Sequence, residues 1–438
     1  MTTQLPFPAL REEIHPPLTP EEAQFEAERC LYCADAPCMQ ACPTHIDIPG
    51  FIKKIDTGNV TGSAKTILRD NFLGGTCARV CPVEELCQGA CVLNKTDRPI
   101  SIGRLQRFAT DHLADTGKAP FEPGTSTGKR VLVVGSGPAG LSAAATLAQD
   151  GHAVEVWERS EKPGGLSTYG IITLREPIEV ALHEVDMVKE LGVEIKTNTE
   201  LTSAEQLAQA ASEFDAVFLA TGLGTVPVLD IPGGDAIIDG LEFIARFKTA
   251  PDTVDAPTRV AVIGAGNTAI DAATTARQLG AQATVVYRRT PEEMTAFDAE
   301  YEFATGFGIE FQFLANPAEV ITGDSGAVTG LRCTRMRATA PGADGRVLVE
   351  PSGEDDIVIP CDVVLSAIGQ EKYTDETGFG LGLNRGYFDV REFLSTQPFD
   401  NVFAGGDAVR VTGDASTVMA VQDGKLAAQS ITRFLEGK

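Results

Sequence analysis

The rhythm of apolar and polar positions changes near residue 125. Before it, apolar residues recur at helical spacing. TPEEAQFEAERC (19–30) predicts a helix with Thr19 as N-cap and Glu22 closing a capping box. ISIGRLQRFATDHLAD (100–115) predicts another. FEPGTSTGK (121–129) is rich in Pro, Gly, Ser and Thr and marks the clearest domain boundary. Beyond it, short apolar runs alternate with helices of small residues. KRVLVVGSGPAGLSAAATLAQDGHAVEVWERS (129–160) reads as strand, glycine turn, helix, strand, and RVAVIGAGNTAIDAATTARQLGAQATVVYRRT (259–290) repeats that unit. DAVFLATGLG (215–224), CDVVLSAIGQ (361–370) and NVFAGGDAV (401–409) read as buried strands followed by Gly, and the 416–437 segment as a closing helix.

The two glycine turns carry chemistry. In the first, Gly135 permits a tight turn, Gly137 lets backbone approach a pyrophosphate, and Gly140 allows close packing of helix on strand. The helix N-terminus offers free N–H groups to phosphate. The following strand ends at Glu158, a carboxylate placed for ribose hydroxyls. In the second turn, Gly264, Gly266 and Ala269 hold the corresponding places. Its following strand ends instead in Arg288 and Arg289, which suit a 2′-phosphate; as plain solvated arginines they would leave NADH use open. Two turns imply two nucleotides, and FAD with NAD(P)H is the economical pair. FAD is expected on the first turn, because Gly164, Gly165 and Leu166, and later Gly405 to Ala408 with Asp407, add glycine-rich contacts for an extended ligand.

The expected fold class is therefore α/β: an N-terminal helical domain (1–120), the first part of an FAD domain (121–235), an inserted NAD(P)H domain (236–360) and the second part of the FAD domain (361–438), both nucleotide domains being Rossmann-like. A chain of 438 residues has room for two or three domains. The net charge of −25 argues against nucleic-acid or membrane partners. No signal-peptide pattern is visible in the first residues, and no apolar run has the length of a membrane span, so the cytoplasm is the expected compartment.

In that compartment clustered cysteines mean metal or redox chemistry rather than disulfides. Eight of the ten cysteines lie between Cys30 and Cys91; Cys333 and Cys361 read as small buried residues. The spacings are C-x2-C-x4-C-x3-C-P and C-x3-C-P-x4-C-x3-C. In ferredoxin-type runs the cysteine before proline serves the other cluster. Cys30, Cys33 and Cys38 should then share one [4Fe–4S] cluster with a fourth ligand from the distant set, and Cys42 should join Cys81 and Cys87 on a second. Zinc sites favour CxxC pairs, and the chain has a single one among these eight.

CLYCADAPCMQACPTHIDIPGFI, then CARVCPVEELCQGAC and ISIGRLQRFAT, closely resembles the N-terminal region of the dihydropyrimidine dehydrogenase family. The resemblance continues through VVGSGPAGLSAA, GGLSTYGI, VIGAGNTAID and FAGGDAV, nearly the whole chain. It implies the separate flavin and iron–sulfur subunit of a two-component enzyme, supplying a partner subunit that carries FMN and iron–sulfur centres and reduces uracil or thymine. The small subunit of glutamate synthase shares this architecture and is the alternative; a non-catalytic redox sensor or scaffold is an alternative of another class. By resemblance the first cluster takes Cys30, Cys33, Cys38 and Cys91, and the second Cys42, Cys81, Cys87 and the amide of Gln106. Counting thiols favours Cys77 for that last place; Gln106 in turn favours the pyrimidine reading over glutamate synthase, whose members carry a glutamate in this region. The resemblance also implies flavin contacts at Val80, Ser136, Gly137, Pro138, Ala139, Gly140, Glu158, Leu166, Arg175, Leu201, Gly406, Asp407 and Thr417. It implies dinucleotide contacts at Ala265, Gly266, Asn267, Thr268, Arg288, Arg289, Ala367, Ile368 and Gly369. Two departures stand out: Ile172 where the family has proline, and the acidic TPEEMTAF after the arginine pair. No protein side chain is expected to act as acid or base in the hydride transfer.

Overall fold

The computed structural model describes residues 13–224, 226–342, 347–391, 395–412 and 415–437. Residues 1–12, on which the leader reading rests, lie outside them. The chain forms two compact units, one of Ile14–Thr168, Arg175–Leu223 and the chain from Lys372 onward, the other chiefly Gly224–Glu371 with Tyr169–Leu174.

The N-terminal part is helical: α1 (Pro20–Glu28), α2 (Pro37–Ala41), α3 (Ile48–Asp56), α4 (Val60–Asp70), α5 (Gly74–Val80) and α6 (Ile102–Asp115). The expected capping box opens α1, with Glu22 N donating to Thr19 Oγ1 at 3.2 Å and Thr19 N to Glu22 Oε2 at 2.9 Å. Asp47 and Asn59 cap α3 and α4 through Gly50 N and Gly62 N, each at 3.0 Å. Ile48, Phe51, Ile52 and Ile55 put one face of α3 into the core, each worth about 2 kcal/mol of burial. The buried Glu26 on α1 holds the turn before α6: its carboxylate accepts from Arg98 Nη2 and Ser101 N, both at 2.8 Å.

After the linker come β1 (Arg130–Val134), α7 (Pro138–Gln149), β2 (Ala153–Trp157), α8 (Leu166–Tyr169), α9 (Ile178–Glu190), β3 (Glu194–Lys196), α10 (Ala204–Glu213) and β4 (Ala216–Leu219). The second unit follows with β5 (Ile238–Asp239), α11 (Gly240–Thr249), β6 (Arg259–Ile263), α12 (Asn267–Gln278), β7 (Gln282–Tyr287), α13 (Asp298–Gly306), β8 (Glu310–Phe313), β9 (Ala315–Thr322), β10 (Val328–Pro341), β11 (Val347–Pro351), β12 (Ile357–Pro360) and β13 (Val363–Ser366). The chain then completes the first unit with β14 (Leu383–Asn384), β15 (Tyr387–Phe388), β16 (Val402–Ala404) and α14 (Thr417–Leu435).

Each unit holds a parallel five-stranded sheet, ordered β16-β4-β1-β2-β3 in one and β5-β13-β6-β7-β8 in the other. Both place a strand–glycine turn–helix unit centrally, β1–α7 and β6–α12, so the sequence repeat is a structural repeat. The central strands are buried on both faces, as their unbroken apolar runs require. The helical part and the first sheet are not separate cores. Residues of α1 to α6 and of β1, α7, β2, α9 and α14 form one apolar cluster, and the linker's Phe121 packs on Phe72 at 6.1 Å between centroids. The second unit also carries an antiparallel β9–β12 sheet that the sequence reading lacks. Cys333 and Cys361 are fully buried in the core beneath it, as their apolar neighbours suggested.

Candidate functional site

The first glycine turn has the geometry its spacing implies. Gly135 adopts φ +99°, and a Cβ there would stand 2.3 Å from Ala220 O. A Cβ on Gly140 would stand 1.9 Å from Gly135 O, so close helix–strand packing needs glycine. Around Gly137 the nearest atom to such a Cβ is Gly165 Cα at 3.9 Å, which leaves open space where a pyrophosphate would approach. Gly137 caps α7 without a side chain, with Pro138 and Ala139 following, so the N–H groups of its first turn are uncapped. Two further glycine segments close on this point. A Cβ on Gly165 would lie 2.6 Å from Gly137 Cα, and one on Gly406 would lie 3.0 Å from Ala139 Cβ. The buried Glu158 accepts from Ser136 N at 3.1 Å and Ser160 N at 2.8 Å, which fixes its carboxylate at the strand end.

The second turn repeats this. Gly264 adopts φ +124°, with a would-be Cβ 2.2 Å from Ala367 O, and Gly266 caps α12 without a side chain. Ala269 is buried in the third place. Ala265 and Ala367 are buried, Ile368 is exposed and Gly369 has φ +102°. Arg288 is exposed, whereas Arg289 faces Glu293, 3.5 Å from Nη1 to Oε2.

The eight N-terminal cysteines fall into two neighbouring groups. Cys30, Cys33, Cys38 and Cys91 line an open hollow walled by Ile48, Ile52, Ile100 and Ile102. Burial pushes the Cys30 thiol up, with Cys33 and Cys91 adding to it. Burial and then Cys30 push Cys38 up to about 11. In the other group, a side-chain hydrogen bond with Cys77 and then burial raise Cys81 well above the ordinary thiol value, with Cys87 and Cys42 contributing. Burial, Cys42 and Cys38 push Cys87 up to about 12. Thiols that resist ionisation alone are stabilised as thiolates by a metal. Eight thiols with a single CxxC pair among them make a donor set that suits [4Fe–4S] clusters better than zinc. Gln106 on α6 is buried, and its Nε2 donates to Gly74 O at 2.8 Å, at the start of the helix that bears Cys77 and leads into Cys81. That bond engages the amide nitrogen, and the amide oxygen is an acceptor.

A family model for pyridine nucleotide-disulphide oxidoreductases matches residues 129–424. One described as dihydropyrimidine dehydrogenase domain II, 4Fe-4S cluster, matches residues 9–118. The chain is 36% identical over 427 residues to the NAD-dependent dihydropyrimidine dehydrogenase subunit PreT of Escherichia coli K12, covering 97% of each. It is 33% identical over 449 residues to the glutamate synthase [NADPH] small chain of the same organism, covering 97% of this chain and 94% of the other. The chain belongs to this family of oxidoreductase subunits. Family membership makes it an NAD(P)-dependent oxidoreductase using FAD and [4Fe–4S] clusters, an electron-transfer subunit of the PreT and glutamate synthase small-chain type. Among solved structures, Mycobacterium tuberculosis FprA in complex with NADPH superposes with a TM-score of 0.58 at 19% identity, covering 70% of this chain and 85% of that one. The T. acidophilum thioredoxin reductase superposes with a TM-score of 0.52 at 19% identity, covering 70% of this chain and 99% of that one. Both likenesses concern the fold. No helix among the described residues is long and apolar enough to cross a membrane.

In this oxidoreductase subunit the remaining residues singled out in the sequence are spread more widely. Val80 ends α5 and Thr417 begins α14. Leu166 is exposed beside the first turn, while the Leu201 side chain packs in the core beneath the sheet, leaving its backbone for any ligand. Arg175 is half-buried. Asp407 is raised by burial, with Arg410 opposing. Three features lacked a motif. Asp423 on α14 accepts from Gly406 N at 3.1 Å and from Arg410 Nη2 at 2.5 Å, which holds the late glycine segment. Gly424, one residue on, has a would-be Cβ 2.1 Å from Ala139 O, so α14 lies directly against α7. Finally Thr76 Oγ1 lies 2.5 Å from both Glu176 Oε1 and Glu184 Oε2, all three side chains being buried. The sequence signal that points Glu184 inward is the apolar spacing of α9, where Ala181, Val185 and Val188 are buried with it.

Proposed function

We propose that this chain draws electrons from NAD(P)H and delivers them to a partner subunit that carries FMN and reduces uracil or thymine to the 5,6-dihydro form. The observation that carries the reading is the presence in one chain of two thiol groups and two glycine cradles. When bound, reduced nicotinamide supplies a hydride, FAD accepts it and can release electrons singly, and the clusters pass them on one at a time. The protein's part is positioning. Uncapped N–H groups at α7 and α12 receive pyrophosphate, Glu158 receives ribose hydroxyls, and Ala367 to Gly369 border the second cradle. Cys30, Cys33, Cys38 and Cys91 would hold one cluster, and Cys42, Cys81, Cys87 and Gln106 the other. An amide oxygen in place of a thiolate removes one negative charge from the second cluster and shifts its potential. Apolar walls around the first group exclude water and favour the less charged state.

The relatives support the pyrimidine reading. Those named as dihydropyrimidine dehydrogenase subunits reach 36% identity, the glutamate synthase small chains 33%. The test is co-purification from the native cell, with uracil- and glutamine-dependent oxidation of NAD(P)H assayed side by side. The purified chain should reduce artificial acceptors and leave uracil untouched. A co-purifying amidotransferase with glutamine-dependent activity would replace the pyrimidine assignment with the glutamate synthase one.

A further inference from the structure

Strand β7 ends at Tyr287, and Arg288 and Arg289 lead from it into a turn, residues 290–297, that folds back over the second glycine cradle. Thr295 N and Ala296 N both donate to Ala265 O, at 3.3 and 3.1 Å. Phe297 N donates to Asn267 Oδ1 at 3.2 Å. Tyr287 Oη fastens the other end, donating to Glu293 O at 2.6 Å. Glu293 is therefore fixed beside the cradle, on the side where the adenosine ribose of a dinucleotide lies in this fold.

Its carboxylate is held from two directions. Val347 N donates to Oε1 at 3.3 Å, and Arg289 Nη1 stands 3.5 Å from Oε2. Both side chains are about four-fifths buried, at 19% and 18% exposure, so solvent screens the pair little. That contact offsets the charge of the guanidinium and occupies one of its donors. Arg288 is exposed and makes no ion pair among the described residues, and Glu292, also exposed, stands in the same turn. Two arginines and two glutamates leave no surplus positive charge for a dianionic 2′-phosphate, which bidentate arginines normally bind.

We propose that Glu293 is a coenzyme-selecting residue: by engaging Arg289 it turns the second cradle toward NADH and away from NADPH. This rests on the reading of that cradle as the dinucleotide site. The arginine pair alone suggests the opposite preference; the acidic turn after it decides the matter.

The experiment compares kcat/KM for NADH and NADPH, with ferricyanide as acceptor, in anaerobically purified holoprotein, and measures binding of 2′,5′-ADP by calorimetry. The wild type should favour NADH by about tenfold or more, the weight of one charge-assisted contact. Glu293→Gln keeps an acceptor for Val347 N but releases Arg289. It should raise kcat/KM for NADPH about tenfold, mainly through KM, and tighten 2′,5′-ADP similarly. Adding Arg289→Ala to that variant should abolish the gain. Glu292→Gln, which removes a nearby charge without touching Arg289, should move the ratio less than about twofold. A wild type that prefers NADPH, an unchanged ratio in Glu293→Gln, or a gain that survives Arg289→Ala would each overturn the inference. If a holoprotein with full flavin and iron oxidises neither coenzyme, the dinucleotide reading of the cradle fails, and this inference with it.

Discussion

Burial of Glu184 is expected to cost this protein stability as pH rises through neutrality. Its Oε1 accepts from Gly75 N at 2.7 Å and Thr76 N at 3.1 Å, and its Oε2 meets Thr76 Oγ1. Thr76 has one hydroxyl hydrogen and two carboxyl neighbours, Glu176 and Glu184, so one of the two short contacts needs a proton on a carboxyl. Burial is the main cause that pushes Glu184 from 4.5 to about 8; Glu176 adds to it and the bonds from Thr76 and Gly75 oppose it. A carboxyl raised on folding favours the folded state while it stays neutral. Its contribution is fully present below the unfolded value of 4.5 and is lost as pH climbs to about 8. The loss is about 1.4 kcal/mol per pH unit across that window, or about 2 kcal/mol between about pH 6 and pH 8. Glu184→Gln retains the acceptor for both backbone N–H groups, supplies a permanent donor to Thr76 Oγ1, and cannot ionise. Guanidinium unfolding of anaerobic holoprotein, followed by flavin fluorescence and far-UV dichroism, should show the variant gaining on the wild type by that margin over the same interval. Parallel pH profiles for the two proteins would refute the assignment of a stored proton to this carboxyl.

Other substitutions test the packing and the donor sets. Gly424→Ala should part α14 from α7, because its methyl would meet backbone rather than a flexible side chain; a loss of at least about 1–3 kcal/mol and of bound flavin on gel filtration is expected, and full flavin retention would contradict it. Glu158→Ala frees Ser136 and Ser160 N–H groups and removes the proposed ribose acceptor, so flavin affinity, titrated by fluorescence, should fall at least about tenfold. Cys77→Ser should keep the full iron complement, whereas Gln106→Ala should lose about half of it; colorimetric iron and low-temperature paramagnetic resonance of the reduced protein read the difference, and the reverse pattern would make Cys77 the ligand.

The sequence by itself determined the things that depend on local spacing. A glycine that must turn at φ +99° or +124° against a carbonyl leaves a fixed-interval signature, and Gly135 and Gly264 both carry it. Unbroken apolar runs announced strands buried on both faces, Thr19 and Glu22 announced the start of α1, and cysteine spacing announced two groups of thiols drawn from both cysteine runs. What the tertiary structure alone decided depends on residues far apart in the chain. Glu184 meets Thr76 across 108 positions, and Asp423 and Gly424 serve a glycine cradle that opens nearly three hundred residues earlier. A charge carries no label of its partner: Arg288 and Arg289 look alike as a motif, and only the fold of the 290–297 turn shows that Glu293 engages one of them. The linker at 121–129 breaks the periodicity of the chain yet does not divide its core, because Phe121 and the helices on either side are drawn into one apolar cluster. Hydrophobic burial is non-directional and sums over whatever surfaces meet, so local pattern fixes the elements while their mutual contacts set the protonation, pairing and packing on which this oxidoreductase subunit depends.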